Sequence, residues 1–373
     1  MKLLISAGEA SGDLHGARLL SALRKKRPSL SAFGMGGPRL RAEGLSVTVS
    51  PEGLSVVGIS EVLEKLPALM RALRALVAGA QRERPDAAIL IDFPDFHGLL
   101  ARRLRGLGVP LIYYVSPQVW AWRPGRARTI ARRARRIITL FPFEAEIYRQ
   151  LGADAVCAGH PLVDDVREGL QRLPPLPPAS RRRLLLLPGS RTAELRRHWP
   201  PMSEAAVRLA RGLDLDLIAV RAAGLPEDLF TGSAEKGIRL AVSGMHALLA
   251  TADLAFVASG TATLEAALCG TPMVVVYRTS RASFAVGRLL VRVPWISLVN
   301  IVAGEKVVPE LLQQDVNADR LESEGAALLG SPERLRRMRD GLARVSARLG
   351  PPGGSERAAD AVIEVLDSAR SGA

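Results

Sequence analysis

The sequence predicts an α/β protein of two doubly wound domains in tandem. Three observations carry this. Short, wholly apolar segments alternate with amphipathic helical ones, the second half repeats the strand-then-turn pattern of the first, and a proline- and arginine-rich break separates the halves. Strands that are apolar throughout belong in a parallel sheet covered on both faces, and 373 residues accommodate two such domains.

In order, residues 2–8 (KLLISAG) are the first strand, and 13–26 a helix with Leu14, Ala17, Leu20 and Leu23 on one face. SAFGMGG is a second strand. Residues 61–80 carry a Leu66, Leu69, Met70, Leu73, Leu76 stripe on a helix. Strands follow at 87–96, 109–117, 135–141 and 155–161. Residues 172–183 (RLPPLPPASRRR) hold four prolines and four arginines without periodicity, and form the linker. Beyond it RLLLLPGSR, LDLIAV, DLAFVASGT and TPMVVVYR are strands of the second domain. Residues 355–369 form an amphipathic helix after a Pro-Pro-Gly-Gly break, placed to return to the first domain. The predicted limits are 1–171 and 184–349 for the domains and 350–373 for the returning segment.

The charge of +14 at pH 7 narrows the partners to nucleic acid, an anionic membrane surface or acidic small substrates. Seven arginines lie within residues 123–136, but aromatics are only 4% and none interleaves with the arginine clusters, which argues against single-stranded nucleic acid. Cys157 and Cys269 fit neither a disulfide framework nor a zinc site, and read as buried thiols of a reducing cytosol. No apolar run reaches the ~18 residues of a membrane span, and the N-terminus lacks a secretory leader's pattern.

Ligands of doubly wound domains bind beyond the carboxyl ends of the strands, here in a cleft between the domains, so chemistry is expected in those loops. SAGEASGDLHG (6–16) brings Gly8, Gly12 and Gly16 with Glu9, Ser11 and His15, an acceptor-side loop in which Ser11 or Asp13 caps the following helix. IDFPDFHG (91–98) sets two aspartates among apolar neighbours, where a carboxylate can serve as a general base. Asp95 is favoured over Asp92. Tyr113, Tyr114, Trp120 and Trp122 offer flat faces to a sugar or acyl chain. In the second half, Ser190 and Arg191 of LPGSR suit a pyrophosphate. Gly260 and Thr261 open a helix whose N-terminus attracts anions, and Glu265 on its first turn can hold ribose hydroxyls. The only D-x-D, Asp214-Leu215-Asp216, falls at the wrong end of its strand for a metal-bound ligand, so no metal or cofactor is expected.

Taken together, SAGEASGDLHG, GMGG, PDF, YYVSPQVWAW, FPFE, GHPLVD, LPGSR, SGTATLE and LVNIVAG occur in an order that resembles the lipid-A-disaccharide synthases over essentially the whole chain. The resemblance implies a GT-B fold, two Rossmann-like domains facing across a cleft. It implies inverting transfer from UDP-2,3-diacylglucosamine to 2,3-diacylglucosamine 1-phosphate, giving a β-1′,6 disaccharide and UDP. By the same resemblance Asp95 is the base, Ser190, Arg191, Gly260 and Thr261 stabilise departing UDP, and Glu265 takes the ribose. Tyr277 and Arg278 lie near the nucleotide, and Asn300 contacts donor or diphosphate, with Val299 where the family usually has proline. It further implies a peripheral protein on the cytoplasmic face of the inner membrane. Residues 281–296, with Arg281, Arg288 and Arg292 at helical spacing, offer an interfacial helix there. The oligomeric state stays open, a homodimer included. The rivals are a UDP-N-acetylglucosamine 2-epimerase, a peptidoglycan-type N-acetylglucosaminyltransferase and, outside enzymes, a basic nucleic-acid-binding protein.

Overall fold

The structure is a computed structural model that describes residues 1–52, 54, 59–116, 125–172, 181–280, 284 and 294–371. The chain divides into two compact units, residues 1–161 with 351–373, and residues 162–350.

Unit 1 runs β1 (Lys2–Ala7), α1 (Ala10–Lys26), β2 (Ser31–Met35), α2 (Pro38–Ala42), β3 (Ser46–Val49), α3 (Ile59–Glu83), β4 (Ala87–Ile91), α4 (Pro94–Gly106), β5 (Leu111–Tyr114), α5 (Gly125–Arg133), β6 (Arg136–Thr139), α6 (Pro142–Gln150) and β7 (Ala155–Cys157). The strands form one parallel sheet in the order β3-β2-β1-β4-β5-β6-β7. Leu3 to Ile5 and Ala87 to Ile91 are wholly buried, because helices cover both faces. The 61–80 stripe is largely core: Leu73 and Leu76 are buried, Leu69 and Met70 pack beside them, and Leu66 alone is exposed.

Unit 2 runs α7 (Leu162–Gln171), β8 (Arg182–Leu187), α8 (Thr192–Gly212), β9 (Leu215–Val220), β10 (Arg239–Ala241), α9 (Met245–Ala250), β11 (Leu254–Ala258), α10 (Thr261–Leu268), β12 (Met273–Tyr277), α11 (Leu298–Ala303), β13 (Glu310–Leu312), α12 (Ala318–Leu329) and α13 (Pro332–Arg348). Its parallel sheet has the order β10-β9-β8-β11-β12-β13.

The chain then re-enters unit 1 as α14 (Gly354–Ser371), which packs along α1. Lys26 pairs with Asp360 at 2.6 Å, Arg27 with Asp367 at 3.0 Å, and Arg136 with Glu364. Buried Ala358, Val362 and Leu366 supply the apolar face of that contact.

The structure departs from the sequence reading in several places. The predicted 87–96 strand ends at Ile91 because Pro94, which has no N–H for a ladder, opens α4. The helix expected from Asp13 begins at Ala10. Residues 162–171, expected in the first domain, belong to unit 2, where α7 packs on α9 and α10. The strands β3, β10 and β13 were not foreseen. All are edge strands of three or four residues, too short and too exposed to show a run of apolar residues.

Candidate active site

In each sheet the strand order reverses once, between β1 and β4 in unit 1 and between β8 and β11 in unit 2. Crevices outside such switch points are where open α/β sheets take ligands. The four loops leaving these strands are SAGEASG, IDFPDF, LPGSR and SGTATLE, so the motifs read from the sequence fall at the two switch points.

At the unit 1 switch point the backbone is strained. Asp92 and Phe93 are both left-handed, with φ of 51° and 49°, and the ring of Phe93 lies over Gly8. A Cβ on Gly8 would stand 2.2 Å from that ring, so only glycine fits there. His97, wholly buried on α4, ties the turn down. Its Nδ1–H donates to the Asp92 carbonyl and its Nε2 accepts from the Ser6 hydroxyl at 2.8 Å. Burial lowers its pKa to about 4, which keeps the ring neutral and both bonds intact. The Asp92 carboxyl is pushed up to about 6, first by burial and then by the nearby charge of Glu9. Glu9 and Ser11 are exposed at the start of α1.

Asp13 is buried and caps a helix other than its own. The N–H groups of Gly37, Arg39 and Leu40, which open α2, donate to its carboxylate at 2.7, 3.0 and 3.1 Å. His15 packs edge-on against Tyr114 and His160, with ring centroids 6.4 and 6.3 Å away, and its buried Nδ1 has no hydrogen-bond partner among the described residues. Burial and the Arg18 charge lower its pKa to about 4.

At the unit 2 switch point the loops are open. Ser190, Arg191 and Thr261 are exposed, and Arg191 is the N-cap of α8 with its guanidinium 2.8 Å from Glu194. Gly189 (φ 122°) and Gly260 (φ 152°) turn the chain where a side chain would be strained. Gly260 leads into α10, whose first turn is closed by the Thr263 hydroxyl donating to the Gly260 carbonyl at 2.7 Å. Glu265 is largely buried and accepts from His246 Nε2 at 3.0 Å. A buried imidazole, His198 on α8, spans two loops: its Nδ1–H donates to Pro188 O at 2.8 Å and its Nε2 accepts the Arg278 N–H at 3.0 Å. Burial depresses its pKa, which favours the neutral ring this bridge requires.

The sequence model of the lipid-A-disaccharide synthetase family matches residues 3–355. The lipid-A-disaccharide synthase of Myxococcus xanthus is 43% identical over 99% of this chain and 98% of its own length. That of Geobacter sulfurreducens is 42% identical over 98% and 97%. The chain belongs to the lipid-A-disaccharide synthetase family. It is accordingly a hexosyltransferase of lipid A biosynthesis with a GT-B fold. Among solved structures it is similar in fold to the Neisseria meningitidis UDP-GlcNAc 2-epimerase bound to UDP-GlcNAc (TM-score 0.62, 12% identity, covering 99% of this chain and 100% of that one). It is similar also to CalG4, the calicheamicin glycosyltransferase (TM-score 0.62, 15% identity, 98% of each chain).

Several of the residues expected to act have surroundings other than the sequence suggests. Asp95 lies on the first turn of α4, its side chain 82% exposed and ion-paired with Arg126. The more buried carboxyl, at the strand end, is that of Asp92. Asn300, expected to contact donor or diphosphate, is engaged inside unit 2. It is wholly buried, its Nδ2 donates to Val308 O (3.0 Å) and Glu310 (2.8 Å), and its Oδ1 accepts from Val307 N (2.8 Å) and Val308 N (3.0 Å). All four of its hydrogen bonds are made within the fold, which leaves none for a diphosphate. Tyr113 and Tyr114 are buried strand residues of β5, not an open sugar platform. Trp120 and Trp122 lie outside the described residues, as does most of 281–296. Tyr277 is half-buried at the end of β12 and Arg278 exposed beyond it. Asp214 and Asp216 stand at the amino end of β9, paired with Arg181 (2.9 Å) and Arg183 (3.3 Å).

Proposed function

We propose that the chain transfers the sugar of UDP-2,3-diacylglucosamine to the 6-hydroxyl of 2,3-diacylglucosamine 1-phosphate, with inversion, giving the β-1′,6 disaccharide 1-phosphate and UDP. The observation that carries the reading is the coincidence of both switch points with the four candidate loops. Unit 1 takes the acceptor and unit 2 the donor.

Asp92 is the general base in preference to Asp95. A carboxylate raised to about 6 is ionised at neutral pH yet basic enough to receive a hydroxyl proton as the oxygen gains bonding. That oxygen forms a bond to the anomeric carbon while the bond to the UDP oxygen breaks, and UDP departs carrying the electron pair. The diphosphate is met by Ser190, Arg191 and the amino end of α10 at Gly260 and Thr261. Glu265 holds the ribose, and Tyr277 and Arg278 border the nucleotide. Glu9, Ser11 and His15 line the acceptor side, where Glu9 also keeps the Asp92 proton affinity high.

Both substrates carry acyl chains. That and the net charge of +14 support peripheral attachment to the anionic inner face of the inner membrane. Among the described residues no helix is long and apolar enough to cross a membrane.

The test is UDP release by purified protein given both lipids, with and without EDTA. Release that requires the acceptor and persists in EDTA is the expected result. Release without acceptor would mean hydrolysis or epimerisation, and no release would sink the reading. Sedimentation with anionic against neutral vesicles tests the membrane part, with binding expected to the anionic ones only.

A further inference from the structure

His246 and Gly169 belong to no motif named so far. His246 lies on α9 and points its Nε2 at Glu265 Oε1, 3.0 Å away, with both side chains more than four-fifths buried. A carboxylate only accepts, so Nε2 carries the proton. The opposite edge of the ring is turned towards α7, where a Cβ on Gly169 would stand 2.0 Å from His246 Nδ1. Any side chain there would drive the ring away from its place, so the glycine of α7 is the seat into which the imidazole fits. The backbone of His246 is held as well, since the Cys269 thiol donates to its carbonyl at 3.6 Å. Burial and the Glu265 charge push that thiol up to about 12, so it remains a donor. Among the described residues Glu265 makes no other side-chain hydrogen bond, which leaves Oε2 available to a ligand.

We propose that His246, seated on Gly169, is a positioning residue that fixes one oxygen of Glu265 and so presents the other to the vicinal diol of the donor's ribose. This deepens the donor-site reading and rests on its assignment of Glu265 to the ribose. A carboxylate on a helix can rotate through several rotamers, and a bond on one oxygen selects the one in which the second faces the ligand. A histidine outside the nucleotide contacts thereby becomes a determinant of ribose recognition.

The experiment compares binding of UDP and 2′,3′-dideoxy-UDP to the full chain by competition titration. In the native protein UDP is expected to bind about tenfold or more tightly than the dideoxy analogue, as for hydrogen bonds to a charged group. Glu265→Ala should erase that ratio. His246→Ala should cut it about three- to tenfold, the range for one ordinary hydrogen bond, by weakening UDP and sparing the analogue. His246→Gln, which retains an N–H donor, should restore much of it. Gly169→Ala leaves every polar group in place, should reproduce the His246→Ala result, and carries the test if His246→Ala fails to fold. If Glu265→Ala leaves the ratio unchanged, the ribose assignment falls and the proposal with it. If Glu265→Ala erases the ratio while His246→Ala and Gly169→Ala preserve it, the ribose assignment survives and the positioning role is overturned. Equal weakening of both nucleotides in the His246 and Gly169 variants also overturns it, because that is the signature of general loss of structure.

Discussion

The switch point of unit 1 holds a half-buried carboxyl on two left-handed residues, Asp92 and Phe93, pinned by His97. That of unit 2 is an open set of hydroxyl, guanidinium and helix-end donors around Ser190, Arg191, Gly260 and Thr261. On the proposed reading the same sheet topology serves two different chemistries. Proton transfer needs a group whose proton affinity has been altered, and burial with a like charge does that at some cost in backbone strain. Binding a diphosphate needs donors already aimed outward, and these come from helix starts without strain. The comparison teaches that the acid–base residue is to be sought where the chain is least comfortable, and the anion site where it is most exposed.

The comparison breaks first on Asp92. Asp92→Asn should lower kcat by about 10²- to 10⁴-fold, the range for loss of a general base. Asp95→Asn, which removes an exposed ion pair, should change it by less than about fivefold. In the native protein kcat/KM should fall about tenfold per pH unit below pH ~6, because protonation removes the base, and Asp92→Asn should abolish that limb. Equal losses in the two variants would restore Asp95 to the role the sequence suggested.

Arg191→Ala sharpens the other half. Loss of a charge-assisted contact to the diphosphate should raise the donor KM about 10- to 100-fold with a smaller change in kcat. An unchanged donor KM would remove Arg191 from the anion site. Asn300→Ala should act on stability, lowering it by about 2 kcal/mol in denaturant unfolding by stranding buried groups of Val307, Val308 and Glu310. If instead it raised donor KM as much as Arg191→Ala, Asn300 would regain a ligand role.

The smallest effect concerns the strain itself. The folded pKa of Asp92, raised from 3.8 to about 6, means the folded state binds the proton more tightly than the unfolded one. The associated stability is fully present below pH ~4 and lost as pH rises through ~6. Asp92→Asn should therefore stabilise the protein at pH 8 by about 1–2 kcal/mol, seen as a higher melting midpoint, while destroying turnover. A lower midpoint would mean that the carboxylate is held by favourable contacts.

The central strands of each sheet and the loops that follow them were legible because buried strands announce themselves as apolar runs and their loops as glycine-rich punctuation. What escaped was decided at a distance. Asp92 and Asp95 sit three residues apart in one motif, and only the left-handed turn, set by Phe93 closing over Gly8 and by His97, separates their environments. Asn300 has the local look of a ligand residue, yet Glu310 and the Val307–Val308 backbone, seven to ten residues on, complete its bonds. His198 and His246 were passed over because a single histidine in a helix has no spacing to betray its partner. Residues 162–171 end at a proline-rich break, which suggested a domain boundary, but their packing on α9 and α10 is written in residues some eighty positions later.

The return of α14 to α1 also sets a schedule for biosynthesis. Unit 1 is interrupted in the chain by the roughly 190 residues of unit 2, and α14 is translated only after them. At about 5–20 residues per second, α1, complete at Lys26, waits about 15–65 s while the roughly 330 residues between it and α14 are made. Nascent unit 1 therefore presents an apolar helix face to the ribosome exit and to chaperones throughout that interval, whereas unit 2 is contiguous and can close as it is synthesised.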